Sequence, residues 1–97
     1  MATIRTTSFF DSWFGKLRDR QTKARIAMRI DRLADGNPGQ HRTLTGGISE
    51  LKIDVGPGYR VYYTERAGQI IVLLVGGDKA SQAVDITKAR EIAKNLA

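Results

Sequence analysis

Four side chains of a 97-residue chain, Lys52, Arg60, Tyr62 and Lys79, have the chemistry to hold a bent RNA phosphate. Lysine and arginine donate charge-assisted hydrogen bonds to non-bridging oxygens, and an aromatic ring can stack on a base. The reaction open to such a group is attack of a ribose 2′-hydroxyl on the adjacent phosphate. That attack needs in-line placement, stabilisation of the developing charge, a base and an acid. The single histidine, His41, lies in a stretch without periodicity, where it is a surface residue or a substrate contact, so a lysine beside other cations is the expected base.

These side chains meet only if the strands that carry them pair in a particular register. Glu50-Leu51-Lys52-Ile53-Asp54-Val55 alternates polar and apolar, the pattern of a strand with one face on a core. Gly56-Pro57-Gly58 is a turn, and Tyr59 to Thr64 resumes a β pattern in which Tyr59 and Tyr63 take the apolar phase. A turn centred on Pro57 sets Asp54 opposite Arg60, Lys52 opposite Tyr62 and Glu50 opposite Thr64, all on the polar face. A second turn between Ala67 and Gly68 sets Tyr62 against Leu73 and Arg60 against Val75, beside Gly76-Gly77-Asp78-Lys79. The competing reading is a plain polar sheet surface with an Asp54–Arg60 ion pair, worth under about 1 kcal/mol when exposed. Ile70 to Val75 is apolar throughout and reads as the central strand, which Gly76-Gly77 is expected to end.

The remaining elements are helical, with a short strand ahead of them at Thr3–Thr7. Phe10, Trp13, Phe14 and Leu17 fall on one face of a helix over roughly residues 8–18, with Ser8 as a candidate cap. Asp19 caps a second helix, in which Ile26, Ile30 and Leu33 form an apolar side and Arg25, Arg29 and Arg32 a neighbouring basic stripe. That helix ends at Asp35-Gly36-Asn37-Pro38-Gly39, and residues 36–48 read as loop. Asp85 is the expected cap of a short final helix carrying Ile86, Ala89, Ala93 and Leu96. The order predicts a single α+β domain over 1–97 with its helices on one face of the sheet: an N-terminal strand and two-helix hairpin packed on a mainly antiparallel four-stranded sheet, and a short C-terminal helix.

Composition narrows the chemistry. With no cysteine there is no disulfide framework, thiolate nucleophile or cysteine-ligated metal, and the scattered carboxylates show no metal-ligand spacing, so neither metal nor other cofactor is expected. The longest apolar run has six residues, against the roughly 20 of a membrane helix, which predicts a cytoplasmic protein with no membrane partner. The formal charge is +6, and residues 1–47 hold nine basic and four acidic side chains against seven and six in 48–97. The excess favours a polyanionic partner and lies in the first half.

Glu50-Leu51-Lys52-Ile53, Gly56-Pro57-Gly58-Tyr59-Arg60-Val61-Tyr62-Tyr63 and Gly76-Gly77-Asp78-Lys79, with Gln82, Asp85, Ile86 and Ala89, together resemble the RelE/ParE toxin superfamily. More narrowly, they resemble its HigB-like, phage Gp49-type addiction-module killer proteins. The helical half fits as well, with Phe10, Trp13, Leu17, Arg25-Ile26 and Arg29-Ile30-Asp31-Arg32-Leu33. The resemblance implies a toxin neutralised by a co-expressed antitoxin, usually a helix-turn-helix DNA-binding protein, and in many relatives a metal-independent cleavage of mRNA on the ribosome. It implies Arg60 at the scissile phosphate with Lys52 and Lys79 as catalytic cations. Tyr62, Asp78, Gln82 and His41 are then substrate contacts, and Arg25, Arg29 and Arg32 an antitoxin face. Relatives often carry a tyrosine or histidine near the C-terminus as acid or base; this chain has neither after Tyr63, and Glu50 stands where some relatives have a second base. ParE-type members poison DNA gyrase instead, and a catalytically inactive relative retained for its antitoxin has the same fold, which does not choose among these targets.

Overall fold

The computed structural model describes residues 1–96. Along the chain come β1 (Thr3–Thr6), α1 (Ser8–Lys16), α2 (Arg20–Ala34), β2 (His41–Thr43), β3 (Ser49–Ile53), β4 (Tyr59–Arg66), β5 (Ile70–Asp78) and α3 (Gln82–Lys94). The sheet has five strands in the order β1-β5-β4-β3-β2, with β1 parallel to β5 and every other pair antiparallel. The α+β class stands, with one strand more than the four expected. His41–Thr43 pairs with Ser49–Leu51 in a segment whose glycines and polar residues read as loop.

Thr7, not Ser8, caps α1: its Oγ1 accepts from the Phe10 N–H at 3.1 Å and donates to the Leu74 carbonyl at 2.6 Å, tying the helix to β5. Asp19 caps α2 as the spacing predicts, accepting from the Gln21 N–H and the Thr22 hydroxyl. The helices divide between the two faces of the sheet instead of sharing one. Phe10, Ile26, Ile30 and Leu33 bury against Leu51, Ile53, Val61, Tyr63, Ile71 and Leu73, whereas Ala89 and Ala93 of α3 cover Tyr62, Leu74 and Val75 on the other side. Trp13 and Tyr59 meet edge to face at the rim of the first layer, with centroids 6.2 Å apart.

Both hairpins are displaced from the expected registers by two residues at the site. Lys52 pairs with Arg60 and Glu50 with Tyr62, while Arg60 pairs with Gly77 and Tyr62 with Val75. The first turn centres on Gly56, which with Gly58 takes positive φ, so Asp54 falls in the loop and forms no ion pair with Arg60. The second loop is Ala67-Gly68-Gln69, and a bulge at Tyr62/Tyr63 adds the other residue of the shift. Gly76-Gly77 does not end the sheet: β5 runs through both to Asp78. Their hydrogens admit neighbours, since a Cβ on Gly76 would lie 2.1 Å from Trp13 Cε3 and one on Gly77 would lie 1.8 Å from Asp85 Oδ2. The last helix starts four residues earlier than expected, after Ser81, and Asp85 sits in its first turn accepting the Ser81 hydroxyl at 2.5 Å.

Candidate functional site

A two-residue slip keeps every side chain on its face, because strand periodicity is two. Glu50, Lys52, Arg60 and Tyr62 therefore still project to the α3 side of the sheet, as neighbours in two adjacent cross-strand rows. The helix covers the β4–β5 part of that face and leaves the β2–β3 edge open. There Gln40, His41, Arg42, Glu50, Lys52, Arg60 and Gln82 line a groove of about 430 Å³.

Glu50 is its centre. The residue is 3% exposed, and its Oε1 accepts from Arg42 Nε at 2.8 Å while Oε2 accepts from Gln82 Nε2 at 2.9 Å and lies 3.7 Å from Arg60 Nε. Burial opposes ionisation of this carboxyl, but hydrogen bonds from Arg42 and Gln82 and the Arg42 charge outweigh it, leaving the pKa below the usual carboxylate value. Arg60 is 6% exposed, and its Nη1 donates to the Gly58 carbonyl at 2.8 Å. Its Nε is buried with no hydrogen-bond partner among the described residues. Backbone and carboxylate thus hold the guanidinium in a fixed plane at the wall of the groove. Three cations, Arg42, Lys52 and Arg60, face one ionised carboxylate, an excess of two positive charges suited to phosphate oxygens.

Of the residues singled out from the sequence, Lys52, Arg60, Gln82 and His41 are brought together in this groove. His41 is exposed on the edge strand, its Nδ1 2.8 Å from the Gly39 carbonyl. Lys79 is exposed just beyond β5, and its Cβ would be 4.0 Å from a Cβ on Gly58, which sets it on the Arg60 side of the first hairpin, outside the groove lining. Asp78 closes the turn into α3 by accepting the Ser81 N–H at 3.1 Å. Tyr62 departs from expectation. It is fully buried under α3, so it cannot stack on a base; its hydroxyl makes no well-formed hydrogen bond among the described residues, and burial first, then the Glu50 charge, pushes its pKa well above the usual phenol range.

The basic stripe of α2 is not uniform. Arg25 and Arg32 are exposed, but Arg29 is half-buried and donates to the carbonyls of Lys52, Pro38 and Gln40 at 2.8, 3.0 and 3.1 Å. Sequence reasoning missed Arg42 and Gln40 because glycines and proline around them mask a three-residue strand. The available signal was local, since Arg42 is flanked by His41 and Thr43 directly before the apolar Leu44.

The comparisons with known proteins agree with this architecture. Residues 12–97 match the family model described as "Phage derived protein Gp49-like (DUF891)". An uncharacterized protein of Haemophilus influenzae is 47% identical over 93 residues, which cover 96% of this chain and 94% of that protein. Among solved structures, a chain in the crystal structure of the intact E. coli RelBE toxin–antitoxin complex superposes with a TM-score of 0.64 at 13% identity, over 80% of this chain and 96% of that one. At that identity the likeness concerns the fold, which is the one the sequence resemblance implied. The chain belongs to the phage-derived Gp49-like protein family and has the fold of the RelE-like superfamily.

Proposed function

We propose that this protein is the toxin of a toxin–antitoxin pair and acts as a ribosome-dependent mRNA interferase in the cytoplasm. The observation that carries the reading is the open groove in which Arg42, Lys52 and Arg60 surround the single carboxylate of Glu50. Arg60, fixed by Glu50 and the Gly58 carbonyl, is the phosphate-binding group, and its planar fork suits the charge that develops on the non-bridging oxygens. Lys52, directly across the strand pair and nearer solvent, is placed to take or return the proton of a 2′-hydroxyl. Gln82 and His41 border the substrate, and Lys79 extends the cationic surface past the hairpin. The ribosome supplies what the groove lacks, an mRNA bent for in-line attack. Among the described residues no cluster fit to hold a metal ion occurs, and none is required by this chemistry.

The cognate antitoxin, a DNA-binding protein in this reading, covers the groove or the exposed Arg25 and Arg32 of α2. The test is translation with purified ribosomes and a defined mRNA, with 5′ ends mapped by primer extension. Lys52→Ala is the cleanest variant, because Lys52 is only partly buried and Arg60 is part of a buried network. Cuts that require ribosomes and disappear with Lys52→Ala and Arg60→Ala, in variants that melt cooperatively, support the reading. Intact mRNA overturns it, and a supercoiling assay with DNA gyrase then separates the ParE-like alternative from an inactive relative.

A further inference from the structure

We propose that Arg29, on the helix behind the sheet, is a positioning residue of the groove: its guanidinium clamps the backbone on both sides of Lys52 and so sets where the Lys52 ammonium stands. The inference rests on the groove being an RNA-phosphate site. Arg29 reaches from α2 to the open edge of the sheet, where Nη1 donates to the Lys52 carbonyl at 2.8 Å and Nη2 to the Gln40 carbonyl at 3.1 Å. The Lys52 N–H donates to the same Gln40 carbonyl at 3.0 Å. Both peptide groups of Lys52 are thereby held in one closed ring of hydrogen bonds. The ring also anchors Gln40, which with His41 forms the opposite lip of the groove.

Two further features show that the ring is built in. The third bond of Arg29, to the Pro38 carbonyl, brings in the turn that ends α2. Gly39, in that turn, has φ +66°, and a Cβ there would sit 3.2 Å from Arg29 Nη2. Partial burial of the guanidinium carries a desolvation penalty, and the three carbonyls that compensate it all belong to the backbone around the groove. Lysine cannot replace this residue, since one ammonium on a flexible stem does not bridge separated carbonyls in a fixed plane. Arg25 and Arg32, on the same stripe, remain exposed and provide matched controls for charge.

The experiment has two arms on the full chain. In the first, amide hydrogen exchange is read at Lys52 and at the central amides of β5 in the wild type, Arg29→Lys and Arg25→Gln. Arg29→Lys should speed exchange at Lys52 about tenfold more than at β5, the signature of local opening, and Arg25→Gln should not. An equal increase at both places, or none, overturns the clamp. In the second arm, anisotropy with a short single-stranded RNA compares Arg29→Lys, Lys52→Ala and the double variant. The two single changes should weaken binding alike, each lowering the salt slope by roughly 0.7, the share of one phosphate contact, and the double variant should lose nothing more. Additive losses overturn the proposal, because they assign Arg29 an effect independent of Lys52. Absence of RNA binding by the wild type counts against the interferase reading instead, and the exchange arm then decides the clamp alone.

Discussion

Glu50 shows how one buried carboxylate can organise a cationic groove by holding the guanidinium groups around it. It neutralises part of the charge of Arg42 and Arg60 and fixes the orientation of both, so replacing it should damage the site through its neighbours. Glu50→Gln keeps an acceptor but removes the charge facing a buried guanidinium, and should destabilise the fold by about 2 kcal/mol in urea denaturation. The folded-state pKa lies below the ordinary value of 4.5, so the ionised group contributes stability above that value. This stability is lost as the pH falls through 4.5 toward the lowered folded pKa, and in Glu50→Gln that part of the acid-side decline in Tm should disappear. Tyr62→Phe makes a contrasting prediction. It removes a buried hydroxyl that lies beside the Glu50 carboxylate but makes no well-formed hydrogen bond among the described residues, and should leave RNA binding unchanged and stability within about 1 kcal/mol of the wild type. The sequence placed Tyr62 on the correct face, with Lys52 and Arg60. Alternation within a strand fixes the face but does not say which half of it a later helix will cover, and α3 covers Tyr62.

The elements account for both what was legible and what was not. The apolar stripes of α1 and α2 and the period-two pattern of β3 and β4 placed the core correctly, because burial along each element is encoded by its own residues. Registers depend on loop geometry. The first loop holds five residues around Gly56, and the bulge at Tyr62/Tyr63 has no marker in the sequence. The even total shift is why the cationic cluster survived while every predicted partner changed. Gly76-Gly77 was misread for a related reason: glycine marks either a break or a close approach, and here Trp13 and Asp85 make the approach. Gly76→Ala should therefore displace α1 and destabilise by about 3 kcal/mol in chemical denaturation. Gly77→Ala should cost less, since the Asp85 carboxylate at the end of its side chain can move more easily than a bulky indole held between Phe10 and Tyr59 at the rim of the core.

For the whole molecule the governing quantity is charge. The +6 excess lies mostly in the first half of the sequence, yet the groove takes Lys52 and Arg60 from the second half and Arg42 from the first. The fold thus concentrates at one site cations that the linear distribution keeps apart. With three of them contacting phosphates, affinity for single-stranded RNA should fall with a log–log salt slope near roughly −2, about twentyfold between 50 and 200 mM salt in a binding titration. A slope near zero would mean that the groove does not hold the backbone. No helix among the described residues is long and apolar enough to cross a membrane. The groove has one further property that follows from strand order. Its outer lip is the last strand of the sheet, three exposed residues long, and lies outside both hydrophobic clusters. On the proposed reading, His41 and Thr43 are therefore the positions at which the shape and polarity that an RNA would meet can change at little risk to folding, whereas Arg42 between them is tied to the buried Glu50.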